Sequence, residues 1–309
     1  MEGPVAAPRL APGDRVRVIA PAGPVPRAEF EAGMAVLGQR YEVLYDGAVL
    51  SRDGFLAGDD VRRRSELEQA LTEEGSKALF CARGGYGILR LLPGLDQAAQ
   101  ALARAPRPIV GFSDVTALLF WAVARAGVRG VHGPVVTQLG KLPSEDVEAL
   151  WRLLEQPTPP PLGSLRALVA GAPVSGRLLG GNLEVLTRLL GTPWQPDLRG
   201  AVLLIEEIGE RPYRIDRLLT HLLLARALDG LAGVVVGDFI GCEEPAGTLG
   251  SPSPSALEVV AERLSPLGVP VVADAPVGHG ARNRALPMGA RVTLDATAGR
   301  LTFLEGAVV

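Results

Sequence analysis

Cysteine and histidine are scarce in this chain of 309 residues, which has two of the former and three of the latter. One cysteine pair in so long a chain is not a disulfide framework, and Cys81 and Cys242 cannot by themselves form a zinc knuckle. We expect both to be reduced thiols of a cytoplasmic protein. We also expect no metal and no cofactor, because no His-rich or Asp-rich cluster has ligand spacing.

Lysine is scarce too, since Lys77 and Lys141 are the only two, and the net charge is −3. This balance argues against nucleic-acid binding, which usually requires a basic face. The most apolar stretch, 117–124, is followed by Arg125 and is far shorter than the ~20 residues of a membrane span. Prolines and Asp14 interrupt the N-terminal segment, so we expect no signal peptide and no membrane partner.

Strand-like and helix-like patterns alternate in the first half of the chain. The strand patterns lie at 15–20, 41–45, 77–81, 109–111 and 128–132. Helical patterns separate the first three and follow the fourth over 114–126. This alternation predicts an α/β fold, with a three-layer N-terminal domain over 1–156 built on a parallel sheet.

A stretch rich in Pro, Gly and Ala over 157–174 is predicted to be a domain linker. The pattern beyond it is mixed and richer in strands, which indicates a smaller C-terminal domain over 175–309. Within it, the Gly/Pro/Ser-rich residues 241–255 are predicted to form a loop.

The stretch 108–116 (PIVGFSDVT) reads as a strand, a sharp turn and a helix, with Ser113 at the turn. A serine placed there stands beside the unpaired N–H groups of a helix start, where an acyl-transfer nucleophile can lie. On local pattern alone, Ser113 or Asp114 is a helix cap. The stretch also lacks the second glycine of the G-x-S-x-G elbow.

Residues 83–87 (RGGYG) follow the third predicted strand and offer backbone N–H groups with no Cβ in the way. Such a loop can bind an oxyanion, a carboxylate or a phosphate, or it can be a tight turn. The carboxyl ends of parallel strands share one edge of a sheet, so this loop and Ser113 are expected to be neighbours.

The candidate base and carboxylate lie in the second half. His279 sits between two glycines, whereas His221 is predicted to be a packed or interface residue. His132 ends the fifth predicted strand, where it either lines a site or makes a structural hydrogen bond. Glu206 and Glu207 end an apolar strand, and alternation sends them to opposite faces. One is expected to be solvated or paired with an arginine at 211 or 214, and the other to reach inward and orient a histidine. A serine, a base, a carboxylate and oxyanion donors suffice for acyl transfer.

These residues, taken together, resemble the serine LD-carboxypeptidases, or murein tetrapeptide carboxypeptidases, and the related microcin-immunity peptidases. The shared motifs, in chain order, are 19–23 (IAPAG), 83–87 (RGGYG), 111–114 (GFSD), 180–183 (GGNL), 191–194 (GTPW), 204–210 (LIEEIGE), 212–217 (PYRIDR) and Gly278-His279. Several motifs in the same order over nearly the whole chain make the resemblance specific.

The resemblance implies a catalytic triad of Ser113, Glu206 and His279, with an oxyanion hole formed by the N–H groups of Gly84 and Asp114. It also implies a fold like that of class I amidotransferases joined to a smaller C-terminal domain, with the active site between the two, and a homodimer. The implied reaction is hydrolysis of the L,D-amide bond to the terminal D-alanine of peptidoglycan tetrapeptides, during cell-wall recycling in the cytoplasm.

The substrate is accordingly expected to be a small muropeptide. We expect four residues to bind it: Arg83, Gly85, Tyr86 and Asn182. Arg83 is proposed to hold the terminal carboxylate on the basis of its charge alone. The alternatives are a microcin-immunity-type peptidase or another amide hydrolase with the same triad, a metal hydrolase, and a non-catalytic module in which the glycine loop binds an anion and Ser113 only caps a helix.

Overall fold

The structure is a computed structural model that describes residues 3–245 and 253–309. It contains two compact units. Unit 1 comprises Met1–Pro159, Asn283–Ala290 and Glu305–Val309, and unit 2 comprises Pro160–Arg282 and Arg291–Leu304. Residues 246–252 of the loop predicted over 241–255 lie outside the described residues.

Unit 1 is built on a six-stranded sheet. Its strands are β1 (Arg15–Ile19), β2 (Glu42–Leu44), β3 (Ala78–Cys81), β4 (Ile109–Gly111), β5 (Gly130–His132) and β11 (Leu286–Met288). Their order is β11-β5-β4-β3-β1-β2, and every pairing is parallel except the antiparallel pairing of β11 with β5. The carboxyl ends of β3 and β4 are therefore neighbours, as predicted for the glycine loop and Ser113.

The helices of unit 1 are α1 (Arg27–Leu37), α2 (Asp60–Thr72), α3 (Asp96–Arg104), α4 (Thr116–Trp121), α5 (Val136–Leu139) and α6 (Ser144–Glu155). Asp59 caps α2 by accepting a hydrogen bond from the N–H of Arg62, as its residue type predicts. Every residue of α4 is buried, so this short helix belongs to the core. A π-helical turn, Ala122–Ala126, prolongs α4 to the left-handed Gly127.

Unit 2 contains a seven-stranded mixed sheet. Its strands are β6 (Arg166–Val169), β7 (Val174–Asn182), β8 (Ala201–Ile208), β9 (Gly233–Ile240), β10 (Val271–Ala273), β12 (Arg291–Asp295) and β13 (Arg300–Phe303), in the order β13-β12-β7-β8-β9-β10-β6. β7 to β10 run parallel, and the pairings of β6 with β10, of β12 with β7 and of β13 with β12 are antiparallel. The helices are α7 (Leu183–Arg188), α8 (Pro212–Leu224) and α9 (Ala256–Leu264).

The α/β class, with a parallel first sheet and a mixed second one, is confirmed. Two details differ from the predicted ranges. Residues 283–290 belong to unit 1, where buried Asn283 donates hydrogen bonds to Asp146 and Gln138 and β11 pairs with β5. The predicted linker 157–174 contains β6, which pairs with β10. The domain boundaries at 156 and 175 stay a prediction.

Among the described residues, no helix has the length and apolar character that crossing a membrane requires.

Candidate functional site

Ser113 immediately follows Phe112, one residue beyond the carboxyl end of β4, and has a left-handed backbone with φ of 63°. This conformation costs a residue with a side chain roughly 1–2 kcal/mol, and such strain concentrates at functional sites. The helical turn that starts here has no side-chain capping hydrogen bond, so Ser113 is not held as a cap. A strained backbone of this kind is found at the serine of nucleophile elbows, although the second glycine of that motif is missing here.

Gly84 of the glycine loop lies against Ser113 within unit 1. A Cβ at Gly84 would lie 2.8 Å from Cβ and 3.0 Å from Oγ of Ser113, so only glycine fits. The Gly84 carbonyl accepts a hydrogen bond of 3.0 Å from the N–H of Gly23. The N–H groups of Gly84 and Asp114 donate to no other group in the described part of the chain, which leaves two backbone donors beside the serine.

The Asp114 carboxylate is buried and accepts a hydrogen bond of 2.9 Å from the N–H of Ile88. Ile88 begins the helical turn that follows the glycine loop. Burial raises the pKa of Asp114 to about 6, despite that hydrogen bond and the charge of Arg63. Asp114 therefore ties the loop to the start of the helix that carries Ser113.

His279 and Glu206 meet within unit 2. Nδ1 of His279 lies 2.7 Å from Oε2 of Glu206, a side chain of β8 that is fully buried. Gly278 has φ of 129°, and a Cβ there would lie 3.0 Å from the same Oε2. The left-handed backbone and the close approach both require glycine at this position. The carboxylate thus holds one ring nitrogen and fixes the orientation of the imidazole.

Asp238, at the carboxyl end of β9, was missed by the sequence analysis. Its Oδ2 accepts a hydrogen bond of 3.1 Å from the N–H of Gly280, the residue after His279. Burial raises the pKa of Asp238, and the neighbouring charge of Glu206 adds to the rise. Asp238 could have been predicted as a site residue from its place near the end of a strand. β8 and β9 are adjacent parallel strands, so their carboxyl ends meet at one edge of the sheet.

Glu207 corrects an expectation. It is 2% exposed, and it accepts hydrogen bonds from Nδ2 of Asn182 and from the N–H groups of Glu184 and Ile208. The prediction of one solvated or arginine-paired glutamate is wrong, since these parallel strands are covered on both faces. The arginines at 211 and 214 pair with Glu244 and Glu210 instead. Burial raises the pKa of Glu207 to about 7.

The four predicted substrate-binding residues fall into two groups. Arg83, Gly85 and Tyr86 line an open cleft of unit 1, and Nη1 of Arg83 donates to the carbonyl of Pro24 at 2.5 Å. Asn182 lies in unit 2, where its Oδ1 caps α7 and its Nδ2 binds Glu207. Their role in substrate binding stays a prediction.

The other two histidines are separate from the His279–Glu206 pair, although His132 is the register partner of Gly111 at the end of β4. His132 is buried beside the Phe112 ring, and His221 is exposed on α8. Within residues 3–245 and 253–309, no group of three or more His, Cys, Asp or Glu side chains is arranged to hold a metal ion.

Comparison with known proteins assigns the chain to a family. Residues 16–133 match the model of the LD-carboxypeptidase N-terminal domain, and residues 175–294 match that of the C-terminal domain. A putative carboxypeptidase of Synechocystis sp. is 41% identical over 298 residues, which cover 96% of each chain. The chain belongs to the LD-carboxypeptidase family. The predicted resemblance and the predicted enzyme class, a hydrolase, are confirmed.

Two further LD-carboxypeptidase relatives have more specific names. The murein tetrapeptide carboxypeptidase of Pseudomonas aeruginosa is 34% identical and covers 91% of this chain and 93% of its own. The microcin C7 self-immunity protein MccF of Escherichia coli is 26% identical and covers 94% of this chain and 93% of its own.

Solved structures agree with the fold. The muramoyltetrapeptide carboxypeptidase from Oxalobacter formigenes has a TM-score of 0.83 at 28% identity, covering 94% of this chain and 98% of its own. MccF in an apo state has a TM-score of 0.89 at 22% identity, covering 99% of this chain and 100% of its own. The second likeness shows the fold alone.

Proposed function

We propose that this enzyme removes the terminal D-alanine from peptidoglycan tetrapeptides by hydrolysing the L,D-amide bond, with Ser113, His279 and Glu206 as its triad. The 2.7 Å contact between Nδ1 of His279 and the buried Glu206 carboxylate is the observation that carries the proposal. It is the contact between base and orienting carboxylate that serine peptidases need. The relatives named as murein tetrapeptide and muramoyltetrapeptide carboxypeptidases support the choice of substrate.

In the proposed first step, Nε2 of His279 takes the hydroxyl proton of Ser113 as Oγ attacks the scissile carbonyl. Glu206 keeps the Nδ1 proton facing its own carboxylate, so the correct tautomer is present before the reaction begins. It also stabilises the imidazolium that forms. Because Glu206 is fully buried, this charge acts in a medium of low dielectric constant, where its attraction for the imidazolium is strengthened.

The attack places negative charge on the former carbonyl oxygen. We propose that the N–H groups of Gly84 and Asp114 bind this oxyanion, since both lie beside Ser113 in unit 1 and donate to no other described group. One such donor contributes about 3 kcal/mol of transition-state stabilisation in comparable sites. His279 then protonates the departing D-alanine amine, and water, deprotonated by the same ring, releases the acyl-enzyme.

The test is incubation of the protein with a defined murein tetrapeptide, followed by mass spectrometry for loss of a single D-alanine. The matched control substrate ends in L-alanine and is expected to stay intact. The Ser113→Ala protein is the control for a contaminating activity. Absence of D-alanine release by the wild-type protein would refute the proposal.

The likeness to the microcin C7 self-immunity protein supports a second candidate, a peptidase with the same triad acting on a peptidyl nucleotide. The two candidate substrates differ in the group that leaves when the amide bond is hydrolysed, which is D-alanine in one and the nucleotide portion in the other. Comparing kcat/KM for the tetrapeptide with that for a peptidyl nucleotide distinguishes them, and we expect the tetrapeptide to be the better substrate.

Gly84→Ala is expected to lower kcat by roughly 10²-fold or more, the effect of losing one oxyanion donor. The added methyl group would lie 2.8 Å from Cβ of Ser113, so either the serine or the loop must move. Steady-state kinetics with the tetrapeptide measures the effect. Gly47→Ala is the matched control, because a Cβ there meets nothing within 4 Å and its backbone is not left-handed. Equal activity of the two variants would contradict this role for the loop.

Asp238→Ala is expected to lower kcat by roughly 10-fold or more, because the His279 loop loses the acceptor that holds the N–H of Gly280. Asp238 is a positioning residue here, not a catalytic one. Asp238→Asn retains an oxygen acceptor and should recover most of the rate. If the negative charge of Asp238 were what mattered, Asp238→Asn would be as slow as Asp238→Ala. Steady-state kinetics of the two variants, with melting temperatures as a stability control, checks this expectation.

We also propose, from the family resemblance, that the enzyme is a cytoplasmic homodimer. Two buried cysteines outside any disulfide fit a reducing compartment. Sedimentation equilibrium tests the dimer, and fractionation of the producing cells tests the location.

A further inference from the structure

Unit 1 contains an open cleft of about 630 Å³ beside the glycine loop. Its lining residues are Gly23, Pro24, Arg52, Phe55, Arg83 and Tyr86, together with two further glycines at 54 and 85. Gly85 faces the cleft, and the residue before it is the Gly84 that lies against Ser113. The cleft and the proposed nucleophile are therefore separated by a single residue of the glycine loop, Gly84, within the same unit.

The charge of the cleft has one sign. Among the described residues that line it, Arg52 and Arg83 are the only ionisable groups apart from the Tyr86 phenol, and none is acidic. Several other arginines of unit 1 are paired with a carboxylate, as Arg17 is with Glu73 and Arg62 is with Glu66. In the described part of the chain, neither Arg52 nor Arg83 has such an ion pair; each donates to a backbone carbonyl only.

Those backbone bonds orient both guanidinium groups. Nη1 of Arg83 donates to the carbonyl of Pro24, and Nε of Arg52 donates to that of Gly54. A guanidinium has five N–H donors, so several remain for a ligand on each arginine. Their fork geometry matches a carboxylate.

One wall of the cleft is apolar. The rings of Phe55 and Tyr86 pack edge to face with centroids 5.6 Å apart, yet the two residues are 65% and 50% exposed. Rings held against each other but left open offer a surface for an alkyl side chain or peptide backbone. Two cations beside such a wall suit a peptide that carries a free carboxylate.

We infer that this cleft is the subsite that binds a free carboxylate of the peptide substrate, through Arg83 and Arg52, while Phe55 and Tyr86 pack on the adjoining chain. The inference rests on the proposed function and extends it from the scissile bond to a recognition element. A tetrapeptide offers two kinds of free carboxylate, the terminal one on the departing D-alanine and those of the acyl portion. An arginine binds either kind of carboxylate in the same way, so the experiment must show which of the two occupies the cleft.

The experiment measures binding rather than turnover. The Ser113→Ala protein is titrated with the tetrapeptide by calorimetry, and the Arg83→Ala and Arg52→Ala changes are then added one at a time. We expect each to raise Kd by roughly 10- to 100-fold, the effect of losing charge-assisted hydrogen bonds. Arg104→Ala, an exposed arginine of α3 outside the cleft, is the matched control and should leave Kd unchanged.

Two amidated peptides identify the carboxylate. If the arginines hold the terminal carboxylate, the Arg83→Ala penalty disappears for the peptide amidated at its C-terminus and persists for the one amidated within the acyl portion. The reverse pattern assigns the acyl portion, and either pattern supports the subsite. A penalty that is unchanged with both peptides, or absent with the native one, overturns the inference.

These outcomes are separate from those that test the reaction. A wild-type protein that binds the tetrapeptide with the expected arginine dependence but releases no D-alanine would refute the proposed function and keep the subsite. Release of D-alanine at wild-type kcat/KM by the Arg52→Ala, Arg83→Ala double variant would refute the subsite and keep the function.

Discussion

Replacing Ser113 with alanine is expected to lower the rate of tetrapeptide hydrolysis by about 10⁴-fold or more, because no other group in the proposed mechanism can form the acyl-enzyme. Substrate binding should persist, since the substitution leaves the glycine loop and the cleft lined by Arg52 and Arg83 unchanged. The measurement is single-turnover hydrolysis followed by mass spectrometry, with calorimetry for Kd. A rate within 10-fold of the wild type would remove Ser113 from the mechanism.

The backbone of Ser113 adds a second, independent expectation. At φ of 63°, alanine has the same steric problem as serine, whereas glycine does not. Ser113→Gly should therefore unfold with a free energy about 1 kcal/mol higher than Ser113→Ala, although both are inactive. Urea denaturation of the two variants measures the difference.

Ser164 provides the matched control, because it is an exposed serine with φ of 62° and no proposed role in the reaction. Ser164→Gly should likewise be more stable than Ser164→Ala, and both should keep full activity. If the Gly/Ala difference appears at 164 and not at 113, the conformation of Ser113 is not strained as its φ indicates.

Much of the fold follows from local sequence pattern. The strands that end at Cys81 and Gly111 and the helix after Ser113 come from runs of apolar residues and their spacing, which depend on neighbours along the chain. The return of β11 to the first sheet does not follow in this way. It depends on pairing with β5, a strand more than 150 residues earlier, and on a buried asparagine with partners on α5 and the first turn of α6.

In the candidate site, too, local sequence predicts some features, whereas others depend on distant parts of the chain. Local pattern favoured a cap at Ser113 because serine and aspartate at a helix start usually cap it, and only the order of motifs along the chain indicated a nucleophile. Asp238 and Glu207 were missed or misplaced because their environments are set by neighbouring strands. A register shift between Ile205 and Glu207 in the β8–β9 pairing further weakens any inference from simple alternation.

Glu206→Gln is expected to lower kcat by roughly 10³- to 10⁴-fold, since an amide can present its NH₂ to Nδ1 of His279 and stabilise the wrong tautomer. The stability of the Glu206→Gln protein is not expected to fall along with its kcat. Oε1 of Glu206 is buried and has no hydrogen-bond partner in the described part of the chain, so the carboxylate is incompletely solvated by the protein. Removing its charge should leave the unfolding free energy unchanged or higher.

Glu207→Gln, the same change one residue along β8, is expected to show the opposite result. Glu207 accepts hydrogen bonds from three N–H donors, and an amide in its place turns its NH₂ toward at least one of them. Because burial raises the pKa of Glu207 to about 7, what its carboxyl contributes to stability decreases as the pH rises through that value, so the loss on substitution is largest below it. At about pH 6 we expect a loss of roughly 1–3 kcal/mol in unfolding free energy, with kcat within about 10-fold of the wild type. Urea denaturation and kinetics on both variants decide the matter. If both lose activity equally, Glu206 has no special role; if both lose stability equally, its carboxylate serves the fold rather than the reaction.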